Sequence, residues 1–202
     1  MLKRLAAAAA AVTFATGALV ACGDDSIQGH DAVAIGGQFE FVSPGGQTVI
    51  EYAPEDRAPI ADVYGPDLMN PDDDVSLADF EGEMVVLNAW GQWCAPCRSE
   101  TDDLQAVHEK MEEAGYGTML GINVRDNVMS APQDFKNDNG VTYPSIYDPP
   151  FMNASALGGV PASVIPTTII LDRQHRPAVV ILRETTEPEL WDLVEQVASE
   201  EQ

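Results

Sequence analysis

Two cysteines separated by two residues constrain this chain more than any other feature of its sequence. Residues 93–97 read WCAPC, and they follow the apolar run 84–90 and precede a helical pattern. Cysteines at this spacing on a strand-to-helix turn can close into a small disulfide ring. The first cysteine then lies at a helix N-terminus, where unpaired N–H groups and the helix dipole favour a thiolate. Because the thiolate is the species that attacks disulfides, the motif predicts redox chemistry.

The alternatives are half of a zinc site or a structural disulfide. Zinc needs four ligands, and the chain has neither a second CxxC nor a nearby pair of histidines. Its histidines fall in a predicted tether, a helix and a turn: His30, His108 and His175. We therefore expect no metal, and no cofactor beyond the redox-active disulfide itself.

The N-terminus has the pattern of an export signal. Lys3 and Arg4 precede an alanine-rich apolar stretch, residues 5–20, which is shorter than the roughly 20 residues that span a membrane. It ends in LVAC at residues 19–22, which resembles the lipobox of bacterial lipoproteins. We predict a lipoprotein signal peptide over 1–21, with Cys22 as the lipidated residue that anchors the protein to the membrane. An ordinary signal peptide and an uncleaved anchor are the alternatives, and all three place the body of the protein outside the cytoplasm.

The number of cysteines and the net charge restrict the possible role of the CxxC pair and the possible partners. The chain has three cysteines, so a lipidated Cys22 would leave only the CxxC pair, which favours a catalytic over a structural role. It carries 33 acidic and 10 basic residues, a formal charge of −23. This charge argues against nucleic acid and anionic lipid surfaces as partners. We interpret the acidity as a solvated surface that keeps the protein soluble.

The remaining chain divides into a tether and one domain. Residues 22–38 are polar and rich in small residues, and we predict that they form a tether. Residues 39–202 form the predicted domain, with an N-terminal extension that begins with a β-hairpin of strands 39–42 and 48–52. The proline-rich segment 53–74 is predicted to be irregular, and Ser76 to cap a short helical turn.

From residue 84 onward, strands and helices alternate. The near-continuously apolar stretch 84–89 predicts a central strand covered on both faces. Pro96 falls in the first turn of the next helix, where proline is tolerated. Further strands are predicted at 118–124, 143–147, 167–171 and 178–182. The helix that begins in the CxxC motif is predicted to continue up to Gly115, and further helices are predicted at 131–139 and 187–199. This order predicts an α/β sandwich around a mixed sheet.

The same order, with CxxC after the first core strand, resembles the thioredoxin fold. The chain is more closely similar to the extracytoplasmic TlpA/ResA-like thiol-disulfide oxidoreductases, over about residues 75–193. The resemblance is carried by VLNAWGQWCAPCRSE at 86–100, GINV at 121–124 and IPTTIILD at 165–172. It implies a thioredoxin-like three-layer sandwich with a mixed central sheet.

The resemblance also implies roles for the residues of these motifs. Cys94 would be the attacking thiolate and the more exposed sulfur, and Cys97 the resolving thiol of the Cys94–Cys97 disulfide. Pro166 matches the family's cis-proline, which faces the CxxC motif, and Ile165 would bind substrate as an added strand. The segment before it is about two residues longer than usual, and Pro161 is a weaker rival for the cis site. The predicted docking surface consists of Trp93, Pro96, Ile165, Pro166 and Thr167.

Two further residues are predicted to tune the thiols. Glu100 lies three residues after Cys97, on the same helix face, and ResA-like proteins use a glutamate at this spacing to shuttle protons. The alternative is a first-turn glutamate that merely suits the helix dipole. Asn88 stands where thioredoxin has a buried aspartate and cannot accept the Cys97 proton, so that task falls to Glu100 or water. Alternatively, Asn88 is a core amide satisfied by backbone.

Asp126 and Asn127 are expected to rim the predicted site, whereas Trp90 is expected to pack in the core.

The resemblance implies a membrane-tethered reductase that reduces apocytochrome c before haem attachment, with electrons from a membrane dithiol donor of the CcdA/DsbD type. A disulfide oxidase or isomerase for exported proteins is the main alternative. A peroxiredoxin needs Thr and Pro just upstream of the reactive cysteine, and residues 88–93 contain neither. A copper-binding assembly protein would need CxxxC spacing and a well-placed histidine.

Overall fold

A computed structural model of the protein describes residues 37–42 and 45–200. The predicted signal peptide 1–21, Cys22, His30 and residues 22–36 of the tether lie outside the described residues and stay predictions. The same holds for residues 43–44 of the predicted hairpin turn. No helix within the described part is both long enough and apolar enough to cross a membrane.

A mixed six-stranded sheet forms the centre of the molecule, in the order β1-β8-β7-β4-β5-β6. Its strands are β1 Val49–Glu51, β4 Met84–Trp90, β5 Gly117–Asn123, β6 Ser145–Tyr147, β7 Thr167–Leu171 and β8 Pro177–Ile181; β2 Tyr64–Pro66 and β3 Asp74–Ser76 form a separate hairpin. The β4, β5 and β6 strands are parallel, whereas β7 is antiparallel to β4 and β8. The predicted mixed sheet is confirmed.

In the described part of the chain, four α-helices accompany the sheet, and the buried cluster on one of its faces contains residues of two of them, whereas the cluster on the other face contains none. The helices are α1 Ala95–Ser99, α2 Thr101–Ala114, α3 Ser130–Asp138 and α4 Glu187–Glu200. All seven residues of β4 are buried, and alternate side chains enter opposite cores. Met84 and Val86 pack with α2 and α4, whereas Val85 and Leu87 pack into the core on the other face. Strand β4 is therefore central and covered on both faces, as its apolar sequence indicates.

The predicted N-terminal hairpin is wrong. Residues 39–42 form no strand, although β1 confirms the predicted strand at 48–52. The β1 strand pairs with β8 instead, with Val49 opposite Ile181. The backbone N–H of Phe39 donates to the Pro59 carbonyl, and its ring packs edge-on against Tyr52 at 5.2 Å between centroids. Burial of this aromatic ring positions the segment over the core rather than beside β1.

Segment 53–74 is more ordered than predicted. The β2–β3 hairpin begins within it and covers the edge strand β6, because the Leu68 N–H donates to the Ser145 carbonyl at 2.7 Å. The cap at Ser76 is confirmed: its hydroxyl accepts a hydrogen bond from the Ala78 N–H, and Asp79 completes a capping box. The hairpin thus protects a sheet edge that would otherwise be open.

Candidate active site

The two cysteines lie on the turn between β4 and α1. Cys94 caps the N-terminus of α1, and Cys97 lies one turn into the helix. The structure joins them in a disulfide, with their Cα atoms 5.3 Å apart. The Cys97 N–H donates to the Cys94 Sγ at 3.2 Å. In the reduced state the same N–H and the helix N-terminus would stabilise a thiolate on Cys94.

Both cysteines are only 3% exposed, so the expectation that Cys94 is the more exposed residue is not met in the disulfide form. The loop before β7 lies against Cys94, whose Sγ is 3.7 Å from the Ile165 carbonyl oxygen. Beside the buried disulfide, Trp93 is 44% exposed and Pro96 is also exposed. These two side chains form the accessible rim at which a protein substrate could dock.

The Ile165–Pro166 peptide bond is cis, whereas the rival Pro161 follows a trans bond. Ile165 is partly buried and carries the carbonyl that faces Cys94. Pro166 and Thr167 are buried, and the Thr167 hydroxyl donates to the Val164 carbonyl at 2.8 Å. The side chain of Thr167 therefore shapes the loop from inside, rather than offering a docking surface of its own.

Glu100 lies at the break between α1 and α2 and is 1% exposed. Its carboxylate accepts hydrogen bonds from Asn88 Nδ2 at 3.1 Å and from the Thr185 N–H at 3.0 Å. Burial raises the pKa of Glu100 to about 7, against these two hydrogen bonds, which act to lower it. A carboxyl group that titrates near neutral pH can both accept and return a proton. A surface glutamate that interacts only with the helix dipole would not be buried to this extent.

Asn88, in the centre of β4, connects Glu100 to the strand that follows the cis-proline. Its Nδ2 also donates to the Thr168 hydroxyl at 3.1 Å, while its Oδ1 is buried and has no hydrogen-bond partner. The alternative of a core amide satisfied by backbone is therefore wrong. Asn88 holds the carboxylate of Glu100 in place and leaves a polar atom facing the interior beside Cys97.

The loop after β5 supports the turn that carries the cysteines. The Asp126 carboxylate accepts hydrogen bonds from the Gln92 N–H and from Asn123 Nδ2, both at 2.8 Å. The Trp93 indole donates to the Val124 carbonyl at 2.9 Å. Asp126 is buried, so it positions the turn rather than rimming the site, whereas Asn127 is exposed.

The sequence predicts that Trp90 lies in the core and that neither His108 nor His175 binds a metal. Trp90 is buried, with its ring 5.8 Å from that of Phe135. His108 packs against Tyr143, and the His175 ring faces the Phe80 carbonyl. Within the described residues, no three His, Cys, Asp or Glu side chains are grouped so as to hold a metal ion.

Sequence reasoning missed three residues that the fold brings to the site. Arg125 places its guanidinium 5.6 Å from the centre of the Trp93 ring, which is a cation–π contact. Thr185, which binds Glu100, is 85 residues away in the chain. Lys136 is 2% exposed in α3, near the cysteines. The sequence carries no local signal for Lys136, which reaches the site through the packing of α3.

Comparisons with known proteins agree with this geometry. The family model for the AhpC/TSA family matches residues 55–176. The chain belongs to this family. A secreted thiol-disulfide isomerase from Corynebacterium glutamicum is 57% identical, with a TM-score of 0.79, over 81% of this chain and 99% of that one. A DsbF homologue from Corynebacterium diphtheriae is 58% identical, with a TM-score of 0.76, over 79% and 99%.

Curated relatives refine the position of this AhpC/TSA-family chain. The thiol-disulfide oxidoreductase ResA of Bacillus subtilis is 26% identical over 118 residues, which make up 58% of this chain and 63% of ResA. The matched region thus spans a little under two thirds of that relative's length. Together with the fold, these matches place the chain among the ResA/TlpA-like thiol-disulfide oxidoreductases.

Proposed function

We propose that this protein is a protein-disulfide oxidoreductase that acts as a reductant outside the cytoplasm. The observation that carries the direction is Glu100, a buried carboxyl group three residues after Cys97 with a pKa of about 7. The substrate class, paired protein thiols and disulfides, follows from the family. The redox-active disulfide is the only cofactor that the proposal needs.

The reaction transfers two electrons through two disulfide exchanges. The Cys94 thiolate attacks a substrate disulfide, forms a Cys94–substrate bond and releases one substrate sulfur as a thiolate, which takes a proton from solvent. Cys97 then gives its proton to the Glu100 carboxylate and attacks the Cys94 Sγ. The Cys94–Cys97 bond forms, the mixed disulfide breaks, and the second substrate sulfur leaves as a thiolate and is protonated.

The direction of electron flow depends on the relative stability of the dithiol and the disulfide. The helix N-terminus and the Cys97 N–H stabilise a Cys94 thiolate and hence the reduced form. An ionised carboxylate nearby opposes this, because like charges disfavour a second anion. With a pKa of about 7, Glu100 is partly ionised at pH 7, and in its ionised form it destabilises the reduced pair and favours electron donation. This balance supports a reductase.

The more specific proposal is reduction of the paired cysteines of apocytochrome c, with a membrane dithiol donor of the CcdA/DsbD type. It is supported by the resemblance to ResA-like proteins. The LVAC pattern supports tethering through a lipid on Cys22, and the relative from Corynebacterium glutamicum is described as secreted. These arguments together favour a lipoprotein on the outer face of the cell membrane.

A direct test uses a peptide with the haem-attachment motif CxxCH, oxidised to its disulfide. The reduced protein should convert the peptide to its dithiol in equimolar amounts, and thiol counting on separated peptide measures this. Failure to reduce the peptide with the cysteine pair fully reduced would reject apocytochrome c as the substrate class.

An oxidase or isomerase is the second candidate, because one 57%-identical relative carries the name isomerase. Such an enzyme would re-form native disulfides in a reduced and scrambled secreted protein faster than it reduces the CxxCH peptide. The two assays, run with the same preparation, separate the candidates.

A further inference from the structure

A small cavity lies against Cys97 in the interior, away from any predicted docking residue. Its volume, about 10 Å³, is close to the minimum that holds a single water molecule. Asn88 and Trp90 from β4, and Lys136 from α3, supply polar groups to its wall. The resolving cysteine therefore shares a water-sized space with several polar side chains, these three among them.

Two of these side chains carry buried polar atoms that have no hydrogen-bond partner. They are the acceptor Asn88 Oδ1 and the donor Trp90 Nε1. Buried polar atoms are nearly always paired, with protein or with ordered water. A single water can donate to the amide oxygen and accept from the indole N–H, so the two atoms form a matched pair for one water molecule.

Lys136 supplies the positive charge beside this space. It is 2% exposed, and its Nζ donates to the Tyr143 carbonyl and to the Ser145 hydroxyl, which leaves one of its three protons unassigned. A Cβ added to Gly121 would contact both the Ser145 hydroxyl and the Trp90 indole nitrogen. The unpaired indole N–H therefore lies close to the hydroxyl that Lys136 contacts.

We propose that this cavity holds one water molecule and that Lys136, together with this water, stabilises the Cys97 thiolate as it forms during substrate release. The inference rests on the dithiol chemistry proposed above. The Cys97 proton still passes to Glu100, and Lys136 keeps its protons throughout. Lys136 is thus a positioning residue: it lowers the energy of the resolving anion and does not react itself.

Among the charged groups that the structure describes around the cavity, Lys136 is the one that would stabilise the Cys97 thiolate. Among the residues that line the cavity, it is the one cation. Burial keeps Tyr143 neutral by raising its pKa, and burial also lowers the pKa of His108, which faces Tyr143. Glu100 opposes a thiolate, whereas Asp67 acts on Lys136 only to keep it charged against its burial. Removal of Lys136 would leave Cys97 with no compensating positive charge on the cavity wall.

The test separates the resolving step from the first attack, with a small chromophoric disulfide. The Cys94 thiolate attacks the S–S bond of dithiobis(nitrobenzoate), forms a Cys94–thionitrobenzoate bond and releases one thionitrobenzoate; attack by Cys97 then forms the Cys94–Cys97 disulfide and releases a second. Each thionitrobenzoate absorbs light, so the two steps are read as two kinetic phases, of which the second reports resolution. In K136M we expect this release to slow at least about tenfold at pH 7, and its pH midpoint to rise by about one unit, because the resolving anion loses a nearby charge. The first attack by Cys94 should change less than about twofold.

Lys110→Met is the matched control. Lys110 is 42% exposed, pairs with Glu187 and does not line the cavity. If K136M and K110M release thionitrobenzoate with the same pH profile, Lys136 has only a structural role and the inference is wrong.

A crystal structure of the unsubstituted protein tests the water independently of any variant. Density for one water within hydrogen-bond distance of Asn88 Oδ1 and Trp90 Nε1 supports the proposal, and a dry cavity overturns it. Because neither measurement uses apocytochrome c, failure here leaves the proposed substrate unaffected, and failure of the CxxCH peptide assay leaves this inference unaffected.

Discussion

Strand β7 has a buried charge cluster beyond one end and the cysteine site at the other. Its five residues span roughly 17 Å, with the cis-proline Pro166 just before them and Asp172 just after. Asp172 is fully buried and pairs with Arg176 at 2.8 Å and with Arg57 at 3.6 Å. At the other end Glu100 is equally buried, yet within the described residues it forms no ion pair.

The two ends use burial for different purposes. The carboxylate of Asp172 also accepts hydrogen bonds from the backbone N–H groups of Gln174 and Arg176, so it fixes the turn between β7 and β8. Paired and fully bonded charges of this kind hold the architecture. Glu100 has neutral hydrogen-bond donors only, and burial moves its pKa to about 7, into the range where catalysis needs it. Ion pairing therefore distinguishes Asp172, whose charge is structural, from Glu100, whose charge is functional.

The largest expected effect is loss of the resolving thiol at the cysteine end. In C97S, the mixed disulfide on Cys94 should accumulate, and turnover should fall at least about 1,000-fold, because no second thiol releases the substrate. Mass spectrometry of the protein after reaction with an oxidised peptide measures the adduct. C94S is the control, and it should form none. Equal trapping by both variants would contradict the assigned order of attack.

At the other end of β7, D172A should cost about 3–5 kcal/mol in free energy of unfolding, because Arg57 and Arg176 lose their buried partner. Urea denaturation measures it. Glu187→Gln, which breaks a more exposed pair with Lys110, should cost less than about 1 kcal/mol. In D172A the Cys97 attack on the Cys94–thionitrobenzoate adduct should proceed at the unsubstituted rate. If D172A slowed this step as much as Glu100→Gln is expected to slow it below, the two ends of β7 would not differ in function.

Glu100→Gln should remove a pH dependence of stability. The folded pKa, about 7, lies above the unfolded value of 4.5, so the folded state holds a proton that the unfolded state has lost between these two pH values. The free energy of unfolding should therefore fall by about 3 kcal/mol as pH rises through this window. Subtracting the urea curves of E100Q from those of the unsubstituted protein should isolate this slope.

The same variant should slow release from the mixed disulfide by about 100-fold at pH 7, because Cys97 loses its proton acceptor. Asp103→Asn, a nearby carboxylate on α2 that contributes only weakly to the Glu100 pKa, serves as the control. An E100Q protein with unchanged stability slope and unchanged release would show that Glu100 is a structural group like Asp172.

The smallest effect is expected at the rim. Trp93→Ala should raise the KM for a protein substrate by about tenfold or less, because an exposed aromatic ring is lost from the docking surface. Its kcat should change less than its KM, since the Asp126 carboxylate still holds the turn that carries the cysteines after the Trp93–Val124 hydrogen bond is lost. Val128→Ala removes another exposed apolar side chain and should leave KM unchanged. An equal effect of both substitutions would reject a specific role for Trp93.

The sequence predicted the parts of the molecule that have local signals. From residue 84 onward, most helices and strands lie within one or two residues of their predicted bounds, because apolar runs, Pro96 and Gly115 mark them clearly. The exception is the single helix predicted up to Gly115, which the structure divides at Glu100 into α1 and α2. The hairpin at 39–42 failed since the burial of Phe39 against Tyr52 outweighs strand pairing, which no local pattern shows.

The candidate site was predictable only where its residues belong to a local sequence motif. The motif positions Cys94, Cys97 and Glu100 were found from spacing and resemblance, and the structure brings them together with Asn88. Thr185 and Lys136 were missed because they reach the site through tertiary packing. Likewise, the burial of Cys94 depends on a loop more than 60 residues away in the chain. Contacts of this kind leave no periodic signal in a sequence.

The equilibrium reduction potential of the Cys94–Cys97 pair in the purified protein tests the central claim most directly. If buried Glu100 destabilises the reduced form, the potential should lie at or below about −250 mV at pH 7, in the range of dithiols that donate electrons. A potential above about −150 mV would contradict the account and make this protein an oxidant of exported thiols.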